Sequence, residues 1–548
     1  MLYSKLAEVY NSLGNTTKRL EKTTILSNFL EYLLEKDKDV LYLLNGEIYS
    51  SYDERKIGIS TQLAIKAISK SAGVQTEKVV QEWKKIGDLG KVAEKLIQSK
   101  KQSTLFVKSH LTTEKILENL RKLPELEGEG TIDKKLNLIT DLLTSASPLE
   151  ALFLTRTLIG DLRIGIQEST IRDSLAKAFF NSDKEAAVKI QEAIDNLNDL
   201  AEIFVIAKKG KISEFDKIEI KVGNPMKVML GPKAESIKQA FEALGTPLAV
   251  EYKYDGFRVM IHKNKSQIKI FTRGLEDVTK QFPEIKEYVE KYVKGDSFIL
   301  DGEAVGYDRK TKEYTPFQAI SQRIKRKYDI EKMQEELPVE LNIFDIVYYN
   351  GKSLSEKTFK ERTDILRKII TPQEYKIIPS KMIVASTEEE VEKFYKKALK
   401  DNQEGVFFKK LDSTYKSGRR VGNWLKLKPS EKDLDLVITG AEYGTGKRSG
   451  WLSSFILSCK GKENSEFLEI GKVGTGIKEK DEQEGVSFNE LNDLLKPIII
   501  KEEGKDVKVK PKIIVAVTYQ EIQNSPNYSS GWALRFPRIT ALRPDKPI

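Results

Sequence analysis

EYKYDGFR, residues 251–258, carries an apolar run into the dipeptide Asp255-Gly256 and out into a second apolar run. Asp-Gly favours a tight turn, so the stretch reads as the end of one strand, a lysine at its tip and the start of the next strand. A lysine placed there becomes a nucleophile if burial or neighbouring cations lower its pKa toward neutrality. The plain alternative is a surface lysine beside a hairpin turn, and K-x-D-G alone does not decide between them.

Working outward, short β-rich runs recur at 259–262, 268–272, 298–300, 341–347, 405–408 and 424–428, with helical stretches at 284–293 and 388–399. Residues 216–430 therefore read as an α+β domain. Only Pro124 and Pro148 fall among the first 220 residues, where apolar residues recur at three and four positions (Leu152, Leu154, Leu158, Leu162). Helix interiors exclude proline, so 1–215 reads as all-helical. Beyond residue 431 the pattern is β again, with glycine-rich turns, and 431–548 fits a small barrel.

A chain of 548 residues accommodates about three or four domains. One cysteine, Cys459, and two distant histidines, His110 and His262, cannot build a disulfide framework or a zinc cluster. A metal would have to sit on oxygen ligands, which favours Mg²⁺. The net charge of +10 suits a polyanionic partner. No apolar run reaches the ~18 residues of a membrane helix and the N-terminus carries no signal-peptide core, so a cytoplasmic protein is expected.

Further chemistry-bearing residues follow Lys253 in order. Arg273 ends a strand, where it can reach a ribose or phosphate. Asp301 and Glu303 in LDGE read as acids at a strand turn, open to a sugar hydroxyl or a metal. Phe344 in LNIFDIV can offer a face to a purine, although most such phenylalanines are core. Glu404 precedes another β run, and WLKLK puts Trp424, Lys426 and Lys428 on one face, with Arg420 just upstream. Each has a bland reading as a turn acid or a wet-face lysine.

The ordered set KYDGFR, FTR, LDGEAV, LNIFDIVYYNG, EGVFFKK, WLKLK and LRFPRI resembles the covalent nucleotidyltransferases, and more closely the ATP-dependent DNA ligases of archaeal and eukaryotic replicative type. LRIG at 162–165 is similar to their helical DNA-binding domain. The resemblance implies an all-α DNA-binding domain (1–215), an α+β nucleotidyltransferase (ATP-grasp-like) domain (216–430) and a C-terminal β-barrel of OB-fold type (431–548). It implies that Lys253 takes AMP from ATP, passes it to the 5′-phosphate of a nick and so allows the 3′-hydroxyl to seal it, in DNA replication, repair and recombination.

By the same resemblance Glu251 reads adenine, Arg258 and Arg273 hold ribose and phosphate, Glu303 serves ribose or metal, and Phe344 stacks on the base. Glu404 binds the ion, Mg²⁺ or Mn²⁺, while Arg420, Lys426 and Lys428 contact phosphates. Arg535 and Arg538 belong to domain closure over the pyrophosphate, and Arg543, Asp545 and Lys546 resemble the family's terminal motif. Nicked double-stranded DNA is the implied partner, with Arg156, Arg163 and Arg172 as candidate backbone contacts. Gln102, Leu105 and Phe106 resemble a sliding-clamp segment with one aromatic where two are usual. A monomer without membrane association is implied, nucleoid-associated if archaeal. The alternatives are a GTP-dependent capping guanylyltransferase or RNA ligase, and a non-catalytic DNA-binding scaffold; an NAD-dependent ligase would need four zinc-binding cysteines.

Overall fold

The computed structural model describes all residues except 54, 102–110, 127–129, 219, 325, 327, 419–421, 430–432, 445–447, 449, 462–465, 480–484 and 547–548. It divides into two compact units, Met1–Lys428 and Pro429–Ile548. The helical and mixed stretches distinguished in the sequence share the first unit. Gln102, Leu105, Phe106 and Arg420 lie outside the described residues.

Up to Lys208 the regular structure described is helical, from Tyr3–Gly14 to Leu200–Lys208. Pro148 does not interrupt it, because it sits in the first turn of Pro148–Leu158, capped by Ser147 and Glu150. The apolar stripes, including Leu6, Leu30, Ile65, Leu154 and Ile194, meet in one core. Lys22 Nζ donates to the carbonyls of Ile164 (2.6 Å) and Gly165 (2.8 Å), pinning the LRIG turn. Arg156 corrects its expected role: it is buried, 2.6 Å from Asp88, and cannot present a free guanidinium to DNA. Arg163 and Arg172 keep partial exposure but pair with Asp161 and Asp173.

The Asp255-Gly256 turn does not close a hairpin. It hands the chain from one antiparallel sheet to another. Strand β1 (Leu248–Lys253) pairs with β8 (Met382–Ala385) and β9 (Gly405–Lys410), and β9 pairs with β10 (Trp424–Leu427). Strand β2 (Phe257–Asn264) pairs with β3 (Gln267–Thr272) and β4 (Ser297–Gly306). β4 continues to β5 (Val339–Tyr349), which carries β6 (Lys352–Ser353) and, in parallel, β7 (Ile377–Pro379). LDGE therefore lies inside β4, a correction to its reading as a turn. Gly256 is required by packing, since a Cβ there would stand 2.3 Å from the Ala304 carbonyl.

Each sheet buries one face under helices. Val250, Val406, Phe408 and Leu425 pack beneath Ile237–Leu244 and Glu388–Lys400. Val259, Ile270, Leu300 and Ile343 pack beneath Pro283–Tyr292 and Phe359–Ile369. The remaining faces share a small cluster that includes Met229, Met260, Tyr415 and Trp424, and carry Glu251, Lys253, Lys409 and Lys426 beside it. Lys227, 2.6 Å from Glu168 and 3.2 Å from Asp195, ties the strand-bearing part to the helices.

His262 on β2 is 1% exposed; its Nδ1 accepts from the Gly223 N–H (3.0 Å) and its Nε2 has no partner among the described residues. Burial holds its pKa down to about 3, with Lys269 adding to the effect. The unfolded chain takes up that proton near pH 6.5, so the stability that neutral His262 permits is lost as pH falls from 6.5 toward 3. Urea titrations of wild type and His262→Asn should diverge below pH 6.5 by about 1.4 kcal/mol per pH unit, wild type falling faster.

In the second unit, β11 (Asp433–Tyr443), β12 (Leu452–Lys460), β13 (Phe467–Val473), β14 (Ile499–Glu503) and β15 (Asp506–Thr518) form one antiparallel sheet in the order β13-β12-β11-β15-β14. A hairpin of β16 (Glu521–Asn524) and β17 (Trp532–Arg535) precedes β18 (Arg538–Leu542), which joins β15. The Ile539 N–H donates to the Thr475 carbonyl (3.1 Å), drawing the start of β18 onto the chain that leaves β13. Phe455, Leu457, Val515 and Ile539 fill the interior with Phe488 and Leu491 of the helix Phe488–Leu495.

Candidate active site

Register and the two-residue period of a strand gather the predicted residues. Ala249, Glu251 and Lys253 on β1 stand opposite Lys409, Phe407 and Gly405 on β9, and Trp424 and Lys426 on β10 stand opposite Lys409 and Phe407. These residues share the face turned away from the helix-covered core. On the second sheet Arg258 stands opposite Glu303, and Met260 opposite Asp301.

Lys253 and Lys428 both pair with Glu404, Lys428 at 2.5 Å, and the Lys253 ammonium lies 5.7 Å from the Phe407 ring centroid. Gly405 permits this arrangement, because it adopts φ 143° and a Cβ there would stand 2.1 Å from the Leu427 carbonyl. Burial pushes the Glu404 carboxyl up, but Lys253 and Lys428 outweigh it and hold its pKa below the usual carboxylate value. Glu303 goes the other way: burial pushes it up to about 8 against the pull of Lys253 and Arg258. Two acids beside one lysine are thus shifted in opposite directions, Glu303 by burial and Glu404 by its two lysines.

Glu251 is 3% exposed and ion-paired with Lys409. Burial raises its pKa and Lys409 opposes the rise. Phe344, half-buried on β5, meets Trp424 edge to face at 6.2 Å. Arg258 is engaged within the protein: it donates to Asp301 from Nε (2.8 Å) and Nη2 (2.6 Å) and to the Met229 carbonyl from Nη1 (2.7 Å). Asp301 also accepts from the Tyr415 hydroxyl (2.7 Å).

Arg273 is exposed just beyond the end of β3. Lys426 is half-buried on β10. In the second unit Arg535 lies 3.4 Å from Glu521, Arg538 is exposed, and Arg543 pairs with Asp435 and Asp545.

The sequence reading missed Lys409, Phe407, Tyr415 and the anchoring role of Asp301. Lys409 and Phe407 stand in the quoted EGVFFKK, and once Gly405 is paired with Lys253, strand alternation from Gly405 puts both on the Lys253 face. Tyr415 lies between motifs and carries no spacing signal.

Three family profiles match the chain in order: "DNA ligase N terminus" over residues 2–176, "ATP dependent DNA ligase domain" over 228–428 and "ATP dependent DNA ligase C terminal region" over 448–546. The chain belongs to the ATP-dependent DNA ligase family. The DNA ligase of Nanoarchaeum equitans is 45% identical over 547 residues, covering 100% of this chain and 96% of its own. That of Thermococcus fumicolans is 39% identical over 549 residues with the same coverage. The solved structure of Pmar-Lig_PreS3 aligns over 98% of this chain and 99% of its own with a TM-score of 0.58 at 18% identity, a likeness of fold. The ligase seals nicks in duplex DNA with ATP, and its relatives do not favour the capping or scaffold alternatives. No helix among the described residues of the ligase is long and apolar enough to cross a membrane.

Proposed function

We propose that Lys253 is the residue that carries AMP. The observation behind this reading is the Lys253–Glu404–Lys428 cluster on a face that register also gives to Glu251, Phe407 and Lys426. After the Lys253 ammonium gives a proton to solvent, the Nζ lone pair attacks the α-phosphorus of ATP, forming Nζ–P with loss of a second proton and breaking the bridge to pyrophosphate. A 5′-phosphate oxygen of the nick then attacks that phosphorus, breaking Nζ–P as the nitrogen takes up a proton and leaves as the amine. The 3′-hydroxyl attacks the activated 5′-phosphate, a proton leaves, and AMP departs. In-line transfers of this kind depend on positioning and on neutralising oxygen charge.

Glu251 reads adenine in this scheme and Phe344 stacks on it, while Arg258, Arg273, Arg420, Lys426 and Lys428 serve ribose and phosphates. Among the described residues no three His, Cys, Asp or Glu side chains gather as a metal cage. Glu303 and Glu404 nevertheless fit Mg²⁺ or Mn²⁺, since Mg²⁺ commonly takes one or two carboxylates and completes its shell with phosphate and water. When bound, the ion neutralises charge on phosphate oxygens. The three-domain division at 215 and 430, the nucleotidyltransferase assignment of the central sheets and the OB-type barrel of the second unit complete the proposal. Arg535 and Arg538 then serve closure over the pyrophosphate, and the ligase acts as a monomer that uses a sliding clamp.

Incubation with α-labelled ATP and Mg²⁺, a denaturing gel and a chase with nicked duplex tests the reading. Label should join the protein, survive denaturation and move to DNA with sealing; a protein that seals nicks without ever taking label would refute it. Glu303 gives a second check. A carboxyl raised to about 8 contributes stability that is present below its unfolded value near 4.5 and lost as pH rises through 8. Glu303→Gln should abolish labelling, yet its nucleotide-free melting temperature should exceed wild type at pH 9 by more than it does at pH 5.

A further inference from the structure

Lys409 is a fully sequestered cation that the motif reading leaves without a task. Its side chain is 2% exposed and paired with Glu251. Its ammonium lies 4.1 Å from the ring centroid of Trp424, 4.6 Å from that of Phe344 and 4.8 Å from that of Phe359. Aromatic faces stabilise an ammonium but cannot replace a counter-charge, and a buried charge persists only when paired. Glu251 depends on the same contact. Of the other charged or titratable groups around it, Asp345 on β5 repels a carboxylate, Arg367 on the helix Phe359–Ile369 attracts one more weakly than Lys409 does, and Tyr254 follows β1 in the chain.

We infer that Lys409 is a positioning residue for purine selection: it holds Glu251 ionised and oriented, so that the base edge meets a group able only to accept hydrogen bonds. An ionised carboxylate accepts from the 6-amino group of adenine and repels the 6-carbonyl oxygen of hypoxanthine or guanine. A protonated carboxyl would donate to that same oxygen. Base choice then rests on the charge of Lys409, on the strand next to that of Lys253 and in neither bond making nor bond breaking. This inference depends on the proposal that Glu251 faces the base.

The test is single-turnover labelling with α-labelled ATP and ITP over a concentration series, for wild type, Lys409→Met, Lys409→Gln and Lys409→Arg, with a thermal melt of each. Wild type and Lys409→Arg should prefer ATP. Lys409→Met and Lys409→Gln should lose at least about 10-fold of that preference, through a weaker apparent affinity for ATP and a stronger one for ITP. Their saturating rate with ATP should stay within about 3-fold of wild type. A wild-type ATP/ITP ratio in either neutral variant overturns the inference, as does an equal loss with both nucleotides or an arginine variant as unselective as methionine. Should neither neutral variant fold, Glu251→Gln, whose amide both donates and accepts, must relax the ratio; an unchanged ratio there also overturns it. Failure of wild type to take label from ATP is a different result, and it removes the Lys253 reading first.

Discussion

Lys253→Ala is expected to reduce covalent labelling by ATP by at least about 10⁴-fold, because the amine is the atom that bonds to phosphorus and no neighbour replaces it. The fold should survive the change. Lys253 is half-buried at the tip of β1, and Glu404 keeps Lys428 at 2.5 Å, so no carboxylate is stranded when the ammonium goes. Lys253→Arg should be equally inactive, since a guanidinium retains its proton and offers no lone pair. A nick supplied already adenylylated separates the steps: joining it consumes no lysine, so Lys253→Ala should seal that substrate within about 100-fold of wild type. Quench-flow with both substrates reads the two rates, and undiminished labelling of Lys253→Ala would move the nucleophile elsewhere.

What the sequence discloses and what it hides divide along a physical line. The strands at 248–252, 268–272 and 405–408 were legible because apolar, β-branched and aromatic residues cluster there in short runs. The strands Met382–Ala385 and Ile377–Pro379 were not, being too short for alternation to register. LDGE misled for a related reason. Acids and a glycine together signal a turn, but here Gly302 sits inside β4 because a Cβ would stand 2.7 Å from Ile343 Cδ1, and Asp301 is buried because two partners hold it. Lys253, Glu303 and Glu404 were singled out through ordered motifs. Lys409 was not, since a lysine in a lysine-rich chain carries no signal until tertiary packing encloses it in aromatic rings. Tyr415 and Met229 reach Asp301 and Arg258 from distant segments, and no local pattern encodes a contact of that range.

Asp301→Ala is expected to destabilise the Met1–Lys428 unit by about 3–5 kcal/mol, the range for removing one partner of a buried ion pair. Asp301 has no exposed surface, and it accepts both Arg258 bonds and the Tyr415 hydroxyl. Its cross-strand neighbour, Asp345, is also buried and is neutralised separately by Arg362, so it cannot answer for Arg258 without abandoning its own partner. Truncation therefore leaves a guanidinium in a low-dielectric space between Phe344 and Trp424, where ring faces recover only a fraction of the lost energy. Combining Arg258→Met with Asp301→Leu removes both charges, and buried pairs replaced by apolar residues of like size are often neutral in stability. Urea unfolding should accordingly show the double variant recovering most of what Asp301→Ala loses. Nick sealing should stay abolished in the double variant, because Arg258 is proposed to serve the nucleotide as well as the fold. A double variant that regained both stability and sealing would assign the Arg258–Asp301 pair to architecture alone.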